Sequence, residues 1–240
     1  MKAFILAAGN GTRLRPLTDR APKCLLPIQG VPLLEIWLNN CKAAGITDVL
    51  VNTHAHSQAI RQFAAEQKTG VRMRIAEEPQ LLGSAGTLRE NRDFVASENA
   101  FHVLYADVLT NGDLLQMFKF HQQRRLPITL GICRVPDPSR CGVVTIDENA
   151  IVREFVEKPK QPASNWAFSG VMVAGQEIFE CLPDQRPADI GFDLLPKMIG
   201  RITAYPISEY LLDIGTISNY RHAQQSWPGL AQVQRPGTCQ

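Results

Sequence analysis

What this 240-residue chain lacks narrows its class before any motif is considered. Its charges nearly cancel, 25 Lys and Arg against 23 Asp and Glu for a formal net charge of +2. No global field therefore holds a nucleic-acid backbone, although a local cluster of cations can still grip a smaller anion. Its six cysteines, Cys24, Cys41, Cys133, Cys141, Cys181 and Cys239, form no C-x-x-C pair and no regular spacing. That excludes the spacing of a zinc ribbon or a disulfide framework, and reduced thiols in a cytoplasmic protein are the expectation. No apolar run approaches the roughly 18 residues needed to cross a bilayer. The apolar run that opens the chain breaks off within a few residues at Gly9-Asn10-Gly11-Thr12-Arg13, too early for a signal peptide, and reads as a buried first strand. Internal repeats and low-complexity tracts are absent as well. Neither a nucleic acid nor a membrane is expected as a partner.

What is present is the composition of a folded domain, with 45% hydrophobic and 20% charged residues. Strand-like runs at 2–7, 48–53, 71–76 and 101–106 alternate with helical patterns at 33–44, 57–67 and 114–124. This is βαβ rhythm, and it predicts an α/β protein with a mostly parallel central sheet flanked by helices. Pro32 suits a helix start, Gly45 a helix end, and Asp113 an N-cap. From 128 the pattern changes to consecutive strand-like runs at 128–135, 142–147, 151–157 and 168–174, which predicts a small antiparallel or mixed extension. Helical patterns at 176–181, 192–199 and 217–226 and a strand at 202–207 complete the chain. One domain over 1–227 is expected. The segment 228–240 has little periodicity and is expected to fray.

The strongest local signal is Leu6-Ala7-Ala8-Gly9-Asn10-Gly11-Thr12-Arg13-Leu14-Arg15-Pro16-Leu17-Thr18. Backbone N–H groups freed at such a strand end make an anion nest, and arginines add forked donors for phosphate oxygens. The run is not a Walker loop, because no lysine in the chain follows a glycine, and Leu14 stands where a dinucleotide fingerprint needs its third glycine. On the glycines alone a plain tight turn remains open; Arg13, Arg15 and Lys23 favour a phosphate. Asp107 ends a predicted buried strand, the side of a parallel sheet on which ligands bind. His54 and His56 lack a third ligand and read as the entry to a helix rather than as a metal site. No G-x-S-x-G marks a serine nucleophile.

The same residues carry a family resemblance. The loop from Leu6 to Thr18, followed by Pro22-Lys23 and Leu26-Pro27, resembles the signature of the sugar-phosphate nucleotidylyltransferases, or nucleotide-sugar pyrophosphorylases. The resemblance continues in the family's order through Leu82-Gly83-Ser84-Ala85-Gly86-Thr87, Tyr105-Ala106-Asp107, Gly142-Val143-Val144, Val156-Glu157-Lys158-Pro159, Asn165 to Gly170 and Leu212-Asp213-Ile214-Gly215-Thr216. It thus spans residues 1 to about 222.

The resemblance implies a Rossmann-like nucleotidyltransferase fold, with a nucleotide-binding half at about 1–125 and a sugar-phosphate half at about 126–227. It also implies transfer of a nucleotidyl group from a nucleoside triphosphate to a sugar 1-phosphate, with release of pyrophosphate and no covalent enzyme intermediate. In its terms Arg13 and Lys23 neutralise phosphates, and Asp107 and Asp213 hold Mg²⁺. Leu6, Ala7, Ala8, Gly9, Gly11, Thr12, Arg13, Lys23, Glu78 and Gly83 contact the nucleotide. Gly142, Glu157, Lys158, Asn165 and Gly170 contact the sugar phosphate. A carboxylate accepts only, so Glu78 suits the donor edge of guanine, with Glu77 as its competitor.

The Glu-Pro-x-x-Leu-Gly-Ser-Ala-Gly stretch looks like members acting with GTP on mannose or heptose 1-phosphates, whereas Ala7-Ala8-Gly9 resembles uridylyltransferases, so uridylyl or thymidylyl transfer stays open. Cytidylyl transfer to a phosphorylated alcohol and a non-catalytic nucleotide-sugar-binding regulatory subunit are further readings. Tyr105-Ala106 stands where many members have Asn-Gly. No hexapeptide repeat is present, so no left-handed β-helix is expected. A homodimer is left open.

Overall fold

The computed structural model describes residues 1–230; the remainder of the tail expected to fray, 231–240, lies outside the described residues. The chain opens with β1 (Lys2–Leu6), a short hairpin of β2 (Pro27–Ile28) and β3 (Val31–Pro32), and α1 (Leu33–Ala43). There follow β4 (Asp48–Thr53), α2 (Ser57–Glu66), β5 (Arg72–Glu77), α3 (Ser84–Glu90), β6 (Ala100–Tyr105) and β7 (Val108–Thr110). The second half contains α4 (Leu114–Arg124), β8 (Ile128–Arg134), β9 (Gly142–Ile146), β10 (Val152–Glu157), β11 (Trp166–Gly175), β12 (Ile202–Pro206), β13 (Leu211–Asp213) and α5 (Ile217–Ser226).

The fold is α/β around one nine-stranded mixed sheet with path β10-β9-β11-β6-β1-β4-β5, to which β8 and β12 are attached through β11. The core β6-β1-β4-β5 is parallel. β11 then runs antiparallel to β6, β8 and β9, and β12 returns parallel to β8. Period-two alternation divides the apolar residues between the faces. Ala3, Ile5, Val49 and Val51 meet α1, α2, α4 and α5 on one side, while Phe4, Leu50, Phe101 and Val103 meet α3 and the Phe94 turn on the other. Phe4 lies edge-on to both Phe94 and Phe101.

Local chemistry sets the ends. Asp113 caps α4 by accepting the Gln116 N–H at 2.9 Å. Two helical expectations are corrected. The stretch 192–199 is a single wide turn, Ile190–Leu194, followed by a tight turn, Leu195–Met198, because Pro196 supplies no N–H to continue a helix. The stretch 176–181 is a 3₁₀ turn, Gln176–Glu180. In the other direction α3 is a true helix, started from outside its own sequence: the Ala188 carbonyl accepts from both Ala85 N and Gly86 N. No helix among the described residues is long and apolar enough to cross a membrane, and Cys24, Cys41, Cys133, Cys141 and Cys181 are all free thiols.

Candidate active site

Where β1 ends at Leu6, the chain passes through Ala7, Ala8, Gly9 and Gly11 at the carboxyl edge of the parallel sheet and turns through Thr12–Leu14. Buried Leu14 anchors the turn, its N–H donating to Gly11 O at 2.9 Å, and Thr18 Oγ1 donates to the same carbonyl at 2.8 Å. Ala8 is buried, while Gly9, Thr12 and Arg13 face solvent. The loop thus offers backbone and a guanidinium outward from a fixed base.

The four charged residues expected to act together lie close to one another. Lys23 Nζ donates to Asp107 Oδ2 at 2.6 Å, with both side chains largely withdrawn from water. Asp107 follows β6, and Asp213 closes β13, whose antiparallel ladder with β7 pairs Asp213 with Val108. A Cβ added at Gly215 would lie 2.7 Å from Asp213 Oδ1 and 2.8 Å from Arg13 Nη2, so carboxylate and guanidinium bound the same small space. Desolvation first, and then the neighbouring Asp107 charge, raise the Asp213 carboxyl above its ordinary value; the Gly215 N–H, Lys23 and Arg13 pull the other way. Two facing carboxylates in that condition favour a cation. Among the described residues no cluster of three or more His, Cys, Asp or Glu forms, so a site here has two carboxylates to offer. That is the donor set of a magnesium ion that takes its other oxygens from water and phosphate.

Beside this pair opens a cleft of ≈ 1520 Å³ lined by Arg13, Asp107 and Asp213 and also by Gly142, Glu157, Lys158 and Gly170. Glu157 Oε1 lies 3.4 Å from Lys158 Nζ. Burial pushes the Glu157 carboxyl up, Lys158 draws it back, and Asp189 adds to the rise. Gly142 gives this carboxylate room, for a Cβ there would fall 2.8 Å from Glu157 Oε2. Asn165 is the exception: it stands exposed before β11, outside the lining, and its carbonyl accepts from Val135 N. Leu6, Ala7, Ala8, Gly9, Gly11 and Thr12 flank the charged cluster without lining the cleft.

Tyr105 packs edge-on against Phe168 in the cleft floor. Burial first, then Asp189, raises its phenol, and the neighbouring Ser84 draws it back. Asp189 and Phe192 are among the lining residues that sequence reasoning missed. Asp189 accepts from Gly191 N at 2.7 Å and Ser84 Oγ at 2.8 Å, and Phe192 projects, 59% exposed, near Lys158. The Asp-x-Gly pattern at 189–191 was their only signal.

Glu78, expected at the base, is engaged elsewhere in this structure. Its side chain is 4% exposed and turned into the protein, where Oε1 accepts from Asn52 Nδ2 at 2.8 Å and Thr87 Oγ1 at 2.5 Å and Oε2 accepts from Leu82 N at 3.0 Å. Three internal donors occupy the carboxylate. Glu77, the competitor, is ion-paired with Arg61 on the surface. Gly83 has an architectural reason of its own: at φ +78 it passes so close to Ala188 that a Cβ would sit 2.2 Å from the Ala188 oxygen.

A glycine-bearing loop at a parallel strand end, beside two carboxylates, two cations and an open cleft, is an arrangement with the chemistry to hold an anionic ligand. Consistently, the nucleotidyl transferase family model matches residues 2–228, and the chain belongs to that family. A mannose-1-phosphate guanylyltransferase of Mycobacterium tuberculosis is 31% identical over 224 residues, 91% of this chain and 62% of that protein. A UTP–glucose-1-phosphate uridylyltransferase of Synechocystis is likewise 31% identical, over 241 residues, 93% of this chain and 62% of that protein. The chain therefore spans about three fifths of the length of these curated relatives. A crystal structure from Bacillus anthracis, assigned as a glucose-1-phosphate thymidylyltransferase and bound to sucrose, superimposes with a TM-score of 0.84 at 26% identity, covering 94% of each chain.

Proposed function

We propose that this protein is a sugar-1-phosphate nucleotidylyltransferase, acting over 1–227 as one catalytic unit with a nucleotide half and a sugar-phosphate half. The observation that carries the reading is the convergence of Arg13, Lys23, Asp107 and Asp213 at the edge of the cleft that holds Glu157 and Lys158. In the reaction a sugar-phosphate oxygen attacks the α-phosphorus of a nucleoside triphosphate in line. One P–O bond forms while the bond from the α-phosphorus to the β-phosphate bridge oxygen breaks, and pyrophosphate leaves.

Two anions must approach, and the chain's own cations meet that demand. Arg13 and Lys23 neutralise the triphosphate, Lys158 holds the acceptor phosphate, and Glu157 accepts from sugar hydroxyls. Asp107 and Asp213 would hold Mg²⁺, which supplies charge neutralisation at the phosphates. For that, Lys23 has to exchange Asp107 for a phosphate oxygen.

For the substrates the reading is GTP with a manno-configured 1-phosphate. Its support is the relatives described as mannose-1-phosphate guanylyltransferases together with the Glu-Pro-x-x-Leu-Gly-Ser-Ala-Gly stretch; the inward Glu78 removes the argument from base pairing. A uridylyl reading has its own observations, Ala7-Ala8-Gly9 and the Synechocystis relative at equal identity. The test is pyrophosphate release from GTP, UTP, dTTP, CTP and ATP, each crossed with mannose, glucose, N-acetylated sugar and heptose 1-phosphates, with Mg²⁺ and with EDTA. Metal-dependent turnover on one pair is expected. Silence across the panel from folded protein refutes catalysis and favours a nucleotide-sugar-binding regulatory role.

A further inference from the structure

Three buried polar side chains, Asn52 on β4, Glu78 after β5 and Thr87 on α3, form a network directly behind the Ala7 loop. Its hydrogen bonds have a fixed direction. Leu6 is the last residue of β1 in register with β4, opposite Asn52. At the next step Ala7 N–H donates to the Asn52 side-chain oxygen at 2.6 Å, extending the ladder beyond its end. The Asn52 amide nitrogen then donates to Glu78 Oε1 and lies 2.9 Å from Thr87 Oγ1, whose hydroxyl also bonds Glu78 Oε1. The other carboxylate oxygen accepts from Leu82 N, and Thr87 Oγ1 lies 3.1 Å from Gly83 O. One buried carboxylate therefore ties together the Ala7 loop, the Leu82-Gly83 turn and α3, the three pieces of backbone around the proposed nucleotide site.

We infer that Asn52 and Glu78 are positioning residues that act as a pair, setting the backbone of the Ala7 loop and the Leu82 turn for any nucleoside triphosphate rather than reading its base. This rests on the nucleotide-binding reading proposed above. The direction of the relay is what makes it specific. Ala7 N–H can only donate, so the facing atom of residue 52 must accept; Leu82 N–H can only donate, so the facing atom of residue 78 must accept. Glu78→Gln then sets amide against amide, donor to donor, and turning either amide over strands Ala7 N–H or Leu82 N–H. Asn52→Asp sets carboxylate against carboxylate. The double variant N52D/E78Q restores every pairing. Asp at 52 accepts from Ala7 N–H and from the new amide at 78, whose oxygen accepts from Leu82 N–H while its second N–H meets Thr87 Oγ1. The cluster keeps its single carboxylate, moved from 78 to 52.

The experiment is this four-member cycle, read in two ways. In ligand-free protein, amide hydrogen exchange at Ala7 and Leu82 is measured by NMR beside the melting temperature. In turnover, KM and kcat are measured for the triphosphate that is consumed, and inhibition constants for the other four as competitors. Each single variant is expected to speed Ala7 exchange and to raise the substrate KM and the four inhibition constants alike, by about 10–100-fold, as expected when a buried donor loses its partner. The double variant is expected to recover most of both losses. If a single variant does not fold, recovery of folding by the double variant supports the relay equally well.

The proposal is overturned if the double variant is no better than the worse single. It is equally overturned if Glu78→Gln changes the preference among triphosphates while leaving Ala7 exchange as in wild type, for then the carboxylate reads the base. A wild-type protein that consumes no triphosphate refutes the proposed function instead, and the exchange cycle still decides the relay.

Discussion

Replacing Asp107 and Asp213 separately by Asn removes the same charge from two adjacent carboxylates, and the structure predicts opposite effects on stability. Asp107 lies 2.6 Å from Lys23 Nζ, with the two side chains 24% and 15% exposed. At an effective dielectric of about 20 the bare attraction is about 6 kcal/mol. Desolvation cancels most of that. Between the roughly 0–1 kcal/mol of an exposed pair and the roughly 3–5 kcal/mol lost on breaking a buried one, a net cost of about 2 kcal/mol is expected for Asp107→Asn. In a chain of this size that is a fall of about 4–8 °C in melting temperature.

Asp213 is held the other way. Withdrawal from water and the Asp107 charge raise its carboxyl, so its ionised form costs the folded state. An acid whose folded value is raised favours the fold while protonated and loses that contribution as pH rises through the folded value. Asp213→Asn, which keeps an acceptor for Gly215 N, should therefore melt at or above wild type at neutral pH, and the advantage should vanish below the ordinary aspartate range. Both variants should lose on the order of 10²–10⁴ in kcat/KM if they hold the metal. Melting curves at neutral and acid pH with pyrophosphate release suffice. A lower melting temperature for Asp213→Asn at neutral pH refutes the electrostatic argument, and activity within a few-fold of wild type refutes the assigned role.

Other outcomes follow from the cleft. Lys158→Met should raise the KM for the sugar phosphate about tenfold or more and leave that for the nucleotide unchanged. Because burial raises Glu157, sugar-phosphate KM should climb as pH falls, beginning above the ordinary glutamate range; an identical profile in Glu157→Gln would assign that titration elsewhere. Gly83→Ala, with φ +78 and a 2.2 Å approach to Ala188 O, should cost about 2–4 kcal/mol in chemical denaturation. Phe192→Ala should leave the denaturation midpoint unchanged, since the ring is exposed, yet weaken acceptor binding a few-fold; an unchanged KM would leave the ring no part in the cleft.

Elements with strong local signals were legible in the sequence. The strand 48–53 and the helices 114–124 and 217–226 agree with the structure to the residue, because a short apolar run, the Asp113 cap and helical spacing are local. What could not be read depends on distant partners. α3 begins on the carbonyl of Ala188, about a hundred residues away, and the β7–β13 ladder that carries Asp213 joins two three-residue strands with no periodicity of their own. Glu78 shows the same limit at the site. Its type and spacing pointed outward to a base, and only the positions of Asn52 and Thr87 turn it inward.

β11 has a mechanical meaning for the proposed chemistry. Its Val171–Gly175 segment lies between β6 and β8, and beyond the irregularity at Gly170 Trp166–Phe168 stays paired with β8 while Ala167 meets β9. One continuous girder thus runs from the side of the sheet that carries the Ala7 loop to the side that carries Glu157 and Lys158. The halves cannot swing about a hinge without tearing its hydrogen bonds. On the proposed reading, then, the sheet sets the spacing between donor and acceptor before either arrives, and any narrowing of the cleft is left to segments that line it, such as Pro136–Arg140 and Gly191-Phe192.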